Sequence, residues 1–303
     1  MREVEFKYKK WGTMRSIKRT LPTNYAEMTP AQFLATVRLS KGWIDEREFF
    51  LQFFGLTDKL LARMDAFQLY SLTETLGFLK QIKAACHNFY CEELSGKLLA
   101  PAEKLSGMSF QQFMTVDTYF SWFLVTEKEQ YLDAFIAALY LKRNESYFKE
   151  EGMTVLDMTS RIPEVHSIPM DLKYSILVNW VLIKSWLSSA YPFLFPEGEA
   201  SPNSKGDKVK GKPVDWLGLF DAWVGDNVAS MEAYRRLSCM DAIRMLNRKI
   251  KEANKWLSKN TLKNFADSIR TSFMKWMTSA ISLVWLMMPK QSWLVICTIH
   301  VSL

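Results

Sequence analysis

Two heptapeptides 80 residues apart carry the same helix-start pattern: Met28-Thr29-Pro30-Ala31-Gln32-Phe33-Leu34 and Met108-Ser109-Phe110-Gln111-Gln112-Phe113-Met114. In each, a hydroxyl residue stands three positions ahead of a glutamine. That is capping-box spacing: the hydroxyl accepts from the backbone N–H three residues on, and the glutamine side chain reaches back. Each phrase opens an amphipathic run, and a second charged-then-apolar run follows it. The pattern predicts a duplicated helix–loop–helix unit, with residues 23–100 and 103–190 as candidate repeats.

At 303 residues the chain has room for one to three domains. A hydrophobic content of 49%, with 14% aromatic residues, supplies a core and argues against global disorder. The net charge of +7 is concentrated in two places. Residues 1–20 carry Arg2, Lys7, Lys9, Lys10, Arg15, Lys18 and Arg19 against Glu3 and Glu5. Residues 248–275 carry eight Lys or Arg against Glu252 and Asp267. Such segments bind polyanions or anionic surfaces, or are simply solvated faces. Four scattered cysteines and a charged first twenty residues lead us to expect no secretory signal, a reducing cytoplasmic compartment and free thiols.

Along the chain, Val4, Phe6 and Tyr8 alternate with charged residues, a period of two that predicts a strand. A turn at Trp11-Gly12-Thr13 would return it through Met14–Leu21 as a hairpin. Thr29 then caps a helix with Pro30 at its first position. Asp45 or Glu46 starts a short run through Phe49, Phe50, Phe53 and Phe54 that stops at Gly55, and Thr57-Asp58 starts another. Leu69, Leu72, Leu76, Leu79 and Ile82 form the stripe of a longer helix. In the second unit Phe113, Val116, Phe120 and Leu124 share one face, and Tyr131, Leu132, Phe135, Ile136, Leu139 and Tyr140 another. Ile176–Ile183 contains Asn179 as its one polar residue and is too short to span a bilayer, so it predicts a buried helix.

Residues 197–213 are dominated by Gly, Pro, Ser and Lys without periodicity, as in a linker. Beyond them, Trp216, Leu219, Phe220 and Trp223 form one stripe, and Met231, Tyr234 and Leu237 another. Ser238 with Asp241 forms a further capping start, followed by an a/d-like seam of Ile243, Leu246, Ile250, Ala253 and Leu257. From Trp276 to Leu303 the one charged residue is Lys290, beside Pro289. Three readings of that tail stand side by side: a membrane segment, a pair of buried elements, and the product of a shifted reading frame or truncated gene. The expected organisation is a hairpin over 1–22, a helical body over 23–196, a linker over 197–214, a helical region over 215–272 and an apolar tail over 273–303. The fold class is mainly α: a multi-helix bundle with a small N-terminal β-hairpin.

Motifs of enzyme chemistry are missing from the sequence. His87, His166 and His300 lack zinc-protease spacing, and no P-loop, dinucleotide fingerprint or nucleophile elbow occurs. Cys86-His87 with Cys91 imitates metal ligands but has no second pair to complete a structural zinc site. Asp45, Glu46 and Glu48 read as helix N-terminal acids favoured by the dipole. Asp117 sits in an otherwise apolar helix, where an edge position is expected and a buried functional carboxylate is the sharper alternative. No enzyme activity, cofactor or metal is therefore expected. Nucleic acid is not expected either, because a strand would turn Phe6 and Tyr8 away from Lys7 and Lys9.

The stretch Leu21-Pro22-Thr23-Asn24-Tyr25-Ala26-Glu27-Met28-Thr29-Pro30-Ala31-Gln32-Phe33 resembles the opening of an uncharacterised family found in phages and prophages of Bacteroidetes, in regions encoding virion and tail proteins. Members open with a basic segment, then Pro, an aromatic residue, Glu, Leu-Thr and Gln; here Tyr25 replaces a common Trp and Met28 a common Leu. The phrase Met108–Tyr119 is similar as well, and Trp216–Leu246 resembles phage tail assembly chaperones. The resemblance implies a cytoplasmic helper that shields a tail protein, tape-measure or tube, during morphogenesis. It supplies no catalytic residues. The candidate partner-binding residues are Trp216, Phe220, Trp223, Met231 and Tyr234, each also a candidate for the core. Two rivals are a structural minor virion or tail-connector protein and a membrane-associated prophage protein anchored by residues 273–303.

Overall fold

A computed structural model of the chain describes residues 1–10, 13–80, 91–143, 158–195, 215–225 and 228–257. They fall into two compact units, one within Met1–Cys86 and one within His87–Leu283. The fold is mainly α with a small N-terminal hairpin.

In the first unit, β1 (Arg2–Lys10) and β2 (Thr13–Leu21) pair antiparallel, from Arg2 opposite Leu21 to Lys10 opposite Thr13. The expected turn residues Trp11 and Gly12 lie outside the described residues. The helices α1 (Pro30–Ser40), α2 (Glu46–Phe54), α3 (Asp58–Leu61) and α4 (Ala66–Thr75) follow. The capping box of α1 is complete: Thr29 Oγ1 accepts from Gln32 N at 3.3 Å, and Gln32 Oε1 accepts from Thr29 N at 2.9 Å. Asp45 caps α2 by accepting from Glu48 N at 2.7 Å, and Gly55 ends it at φ +62°, a left-handed conformation that glycine adopts without a Cβ penalty. Phe33, Phe49, Phe53 and Phe54 form the centre of this unit's core, with ring centroids 5.1 Å apart for Phe49–Phe53 and Phe53–Phe54.

The Leu69–Ile82 stripe predicts one longer helix, but α4 stops at Thr75 and a 3-10 turn, Gly77–Lys80, carries the chain on. The hydroxyls of Thr73 and Thr75 donate to the carbonyls of Tyr70 and Leu72, and Gly77 adds backbone freedom, so the last turn has several local competitors. Ile82 lies outside the described residues.

The second unit opens with β3 (Glu93–Leu94) and β4 (Leu98–Leu99), joined across Ser95 and Gly96, both at positive φ. Next come α5 (Phe110–Thr126), α6 (Glu129–Leu139) and β5 (Leu141–Lys142), which completes an antiparallel β3-β4-β5 sheet. Then follow α7 (Ile162–His166), α8 (Met170–Ala190), α9 (Trp216–Val224), α10 (Met231–Arg236) and α11 (Cys239–Leu257). Phe120, Phe135, Trp180 and Leu187 are among its most buried apolar side chains. Ile176–Ile183 lies inside α8 and is buried except for half-buried Val178, as its composition predicts. The second capping start holds in part: Ser109 accepts from Gln112 N at 3.1 Å, but the Gln112 amide turns away from the cap and donates to Ala138 O and Leu139 O at 3.0 and 3.3 Å. Gln32 makes the matching bond in the first unit, donating to Phe53 O at 3.1 Å. In both units a glutamine in the first turn of one helix therefore ties it to the last turn of the next.

The starts of α5 and α11 clasp each other. Ser109 and Ser238 form a β-bridge, with Phe110 N donating to Leu237 O and Cys239 N to Met108 O, both at 2.8 Å. Ser238 Oγ also accepts from Asp241 N at 3.2 Å, the predicted cap of α11. Along the a/d seam, Ile243 and Leu246 are buried, Ile250 is half-buried and Ala253 is exposed, so coverage falls off from Leu246 to Ala253. Residues 158–195 and 215–257 belong to the same compact unit, while the division of the chain falls near residue 86. The expected linker at 197–213 and the apolar tail at 273–303 lie outside the described residues. Among the described residues, no helix is long and apolar enough to cross a membrane.

Candidate functional site

The second unit carries a groove of about 390 Å³ between α5, α9 and α10. One face of α5 supplies Gln111, Met114, Thr115, Thr118, Tyr119 and Trp122; α6 adds Tyr131, α9 adds Trp216, Leu217 and Phe220, and α10 adds Arg235. The α5 residues recur at three- and four-residue steps, so a single helical face forms the wall. Trp122 stacks on Tyr131 with centroids 6.0 Å apart and is 41% exposed, and Leu217 is 63% exposed. Arg235 is the one charged residue of the lining and places its guanidinium 5.5 Å over the Phe220 ring.

Of the predicted partner-binding residues, Trp216, Phe220 and Trp223 are buried, while Met231 and Tyr234 are half-buried. The structure brings four of them together: Trp216, Phe220 and Trp223 surround Phe110 at 5.6–6.3 Å, and Tyr234 meets Trp223 edge-on at 4.7 Å. Trp216 and Phe220 also line the groove; Trp223, Met231 and Tyr234 do not. The exposed rim residue Leu217 lies next to Trp216 but off the Trp216, Leu219, Phe220 and Trp223 stripe, and was missed for that reason.

Beneath the groove sits a polar cluster. Asp117, expected at a helix edge, is instead fully buried. Its Oδ1 pairs with Lys184 Nζ at 2.9 Å and accepts from Trp180 Nε1 at 3.4 Å, and its Oδ2 accepts from Trp216 Nε1 at 2.6 Å. Three donors from two other helices converge on one carboxylate, which no helix edge would provide. The ammonium of Lys184 lies 5.0–5.7 Å from the ring centroids of Phe195, Phe113 and Trp216. Burial pushes the Lys184 pKa down, and it outweighs the opposing pull of Asp117. Burial pushes the neighbouring Cys239 thiol well above its ordinary value, with Lys184 opposing. The cluster fixes the Trp216 ring that forms one wall of the groove.

A second cluster joins α6, α7 and α8. Lys173 Nζ contacts Asp133 Oδ1 at 2.6 Å, Glu129 Oε1 at 3.0 Å and the His166 carbonyl at 3.2 Å, while His166 Nδ1 lies 2.7 Å from Asp133 Oδ2. Lys173 and Asp133 are buried; Glu129 and His166 are exposed. The ligand atoms of Glu129, Asp133 and His166 lie within 4.8 Å of one another, close enough to hold a metal ion. The Lys173 ammonium already takes one oxygen from each carboxylate, so a divalent cation there would compete with a buried internal cation. The arrangement fits an ionic staple of three helices better than a metal centre. Asp133 and Lys184 escaped the sequence reading because each interrupts an apolar run singly, and a lone charge in such a run is the signal that would have found them; Lys173, two residues after Asp171, reads as part of a charged helix start. Of the predicted metal imitators, Cys86 and His87 lie outside the described residues, and Cys91 is half-buried with Sγ 3.4 Å from Glu93 O. No protein-family model, curated protein or solved structure matches the chain.

Proposed function

We propose that the chain is a non-enzymatic binding protein that holds an apolar helical segment of a partner in the α5–α9–α10 groove. In the setting that its sequence resemblance implies, the partner is a phage tail protein, tape-measure or tube, shielded during assembly. The observation that carries this reading is the groove itself: a lining with Tyr119, Trp122, Tyr131, Trp216, Phe220 and Met114, with exposed Leu217 and Trp122 over a hydrogen-bonded aromatic floor. A helix laid in such a groove recognises it through apolar anchors at three- and four-residue steps. Arg235 favours a segment that also carries a carboxylate.

The test is affinity capture of tagged protein from a phage-bearing host during virion assembly, comparing the wild type with Leu217→Glu. Burying one leucine contributes about 1.5–3 kcal/mol, so losing it weakens capture roughly tenfold or more. The expected result is recovery of tape-measure or tube protein by the wild type, loss with Leu217→Glu, and absence of the chain from finished particles. Retention in particles would favour the structural virion component, and recovery with membrane proteins alone the anchored alternative. Undiminished capture by Leu217→Glu would remove the groove from the account.

A further inference from the structure

The N-terminal ribbon carries a second surface. Its register places Arg15 opposite Tyr8 and Arg19 opposite Val4, with Arg2 opposite Leu21. Directly paired residues of an antiparallel ribbon share a face, as do alternate residues of one strand. One face therefore gathers Arg2, Arg15 and Arg19 with Val4, Tyr8 and Ile17. The two acids of the hairpin, Glu3 and Glu5, have the opposite parity, and there Glu3 pairs with Lys18 at 3.1 Å. The charges thus sort by face: one face is internally compensated and the other is cationic without a carboxylate in either strand. The expectation against nucleic acid counted only the cations of the first strand; the second strand supplies arginines to the tyrosine face.

Arg2, Arg15 and Arg19 are exposed, and Val4, Tyr8 and Ile17 are half-buried among them. Among the described residues no ion pair engages the three arginines, and neither strand packs extensively on any element but the other. We propose that this face binds duplex DNA, a function separate from the groove and independent of the reading given for it. A two-stranded ribbon is narrow enough for the major groove of B-DNA, about 12 Å wide. Arg15 and Arg19 lie four residues apart on an extended strand, about 13 Å, so their guanidinium forks reach phosphates on both sides of such a groove. An anionic bilayer would instead reward exposed large apolar side chains between the cations, and on this face Val4, Tyr8 and Ile17 are half-buried.

The test is fluorescence anisotropy of a labelled B-DNA duplex titrated with the full chain over a series of salt concentrations. The variants are Arg15→Ala/Arg19→Ala on the proposed face, Arg15→Lys/Arg19→Lys, which keeps charge without the fork, and Lys18→Ala on the opposite face. We expect the alanine pair to bind about tenfold or more weakly and to flatten the slope of log affinity against log salt by about 2, close to one phosphate contact for each arginine. The lysine pair should restore the slope, and Lys18→Ala should change little. All the substituted positions are exposed, and far-UV circular dichroism checks that the variants stay folded. Equal losses from the two faces, a wild type that ignores the duplex, preference for single strands, or sedimentation with phosphatidylglycerol vesicles in place of duplex binding would each overturn the proposal.

Discussion

Asp117 shows what one residue can hold together. A buried carboxylate is tolerated when it is paired and fully hydrogen-bonded, and here one ammonium and two indole N–H groups converge on it. Breaking such a pair leaves an uncompensated buried charge, which costs more than the pair itself contributes. Lys184→Met should therefore lower unfolding free energy by about 3–5 kcal/mol in urea titrations followed by tryptophan fluorescence. Asp117→Leu combined with Lys184→Met should recover part of that loss, because no charge remains buried, although Trp180 and Trp216 would lose their acceptor. A single Lys184→Met loss below about 1 kcal/mol would mean that water reaches Asp117. The sequence made Asp117 conspicuous as a polar residue in an apolar helix. Its burial was not legible, because the partners lie 63, 67 and 99 residues away, and local periodicity carries no information about them.

At the scale of the element, the legible features were those written within four residues. The caps at Thr29, Asp45, Ser109 and Ser238 all appear where spacing predicts them. The bridging role of the two glutamines was hidden, since spacing shows only the bond back to the cap: Gln32 makes both that bond and the bridge, and Gln112 makes the bridge instead. Gln112 is buried, so Gln112→Ala strands the Ala138 and Leu139 carbonyls and should cost about 1–3 kcal/mol. Gln32 is half-buried, so Gln32→Ala loses the capping box and one bridge with water able to substitute, and about 1 kcal/mol is expected. Thermal melts of the two variants would check the order; a larger loss for Gln32→Ala would show that burial does not set the strength of the bridge. The end of α4 was illegible because it rests on competition between an apolar stripe and threonine hydroxyls, and a stripe alone records only one competitor.

For the whole molecule, composition pointed to a division at 197–213, a stretch outside the described residues, whereas the unit boundary falls near residue 86, because α9 docks Trp216 onto α5 through Asp117. The units also share a response to pH that only the assembled core creates. Burial raises Tyr25 in the first unit from 10.0 to about 12, and in the second it holds Tyr140 and Cys239 well above 10.0 and 9.0. Each folded group keeps a proton that the unfolded chain releases, so the folded state binds more protons above pH 9 and stability falls as pH rises. Lys184 acts in the opposite sense: its lowered pKa makes the folded state bind fewer protons below 10.5, which adds stability as pH rises toward that value. Above pH 9 three buried groups act against one, so the urea midpoint should fall there. Cys239→Ala should make the fall between pH 9 and 10 shallower, leaving Cys91, which burial also raises, and the tyrosines from pH 10 upward. Tyr25→Phe loses the bond to Leu79 O, about 1 kcal/mol at neutral pH, but removes roughly 2–3 kcal/mol of the decline between pH 10 and 12. A midpoint that climbs above pH 9 would mean that Lys184 dominates and that the buried hydroxyls and thiol are reached by water.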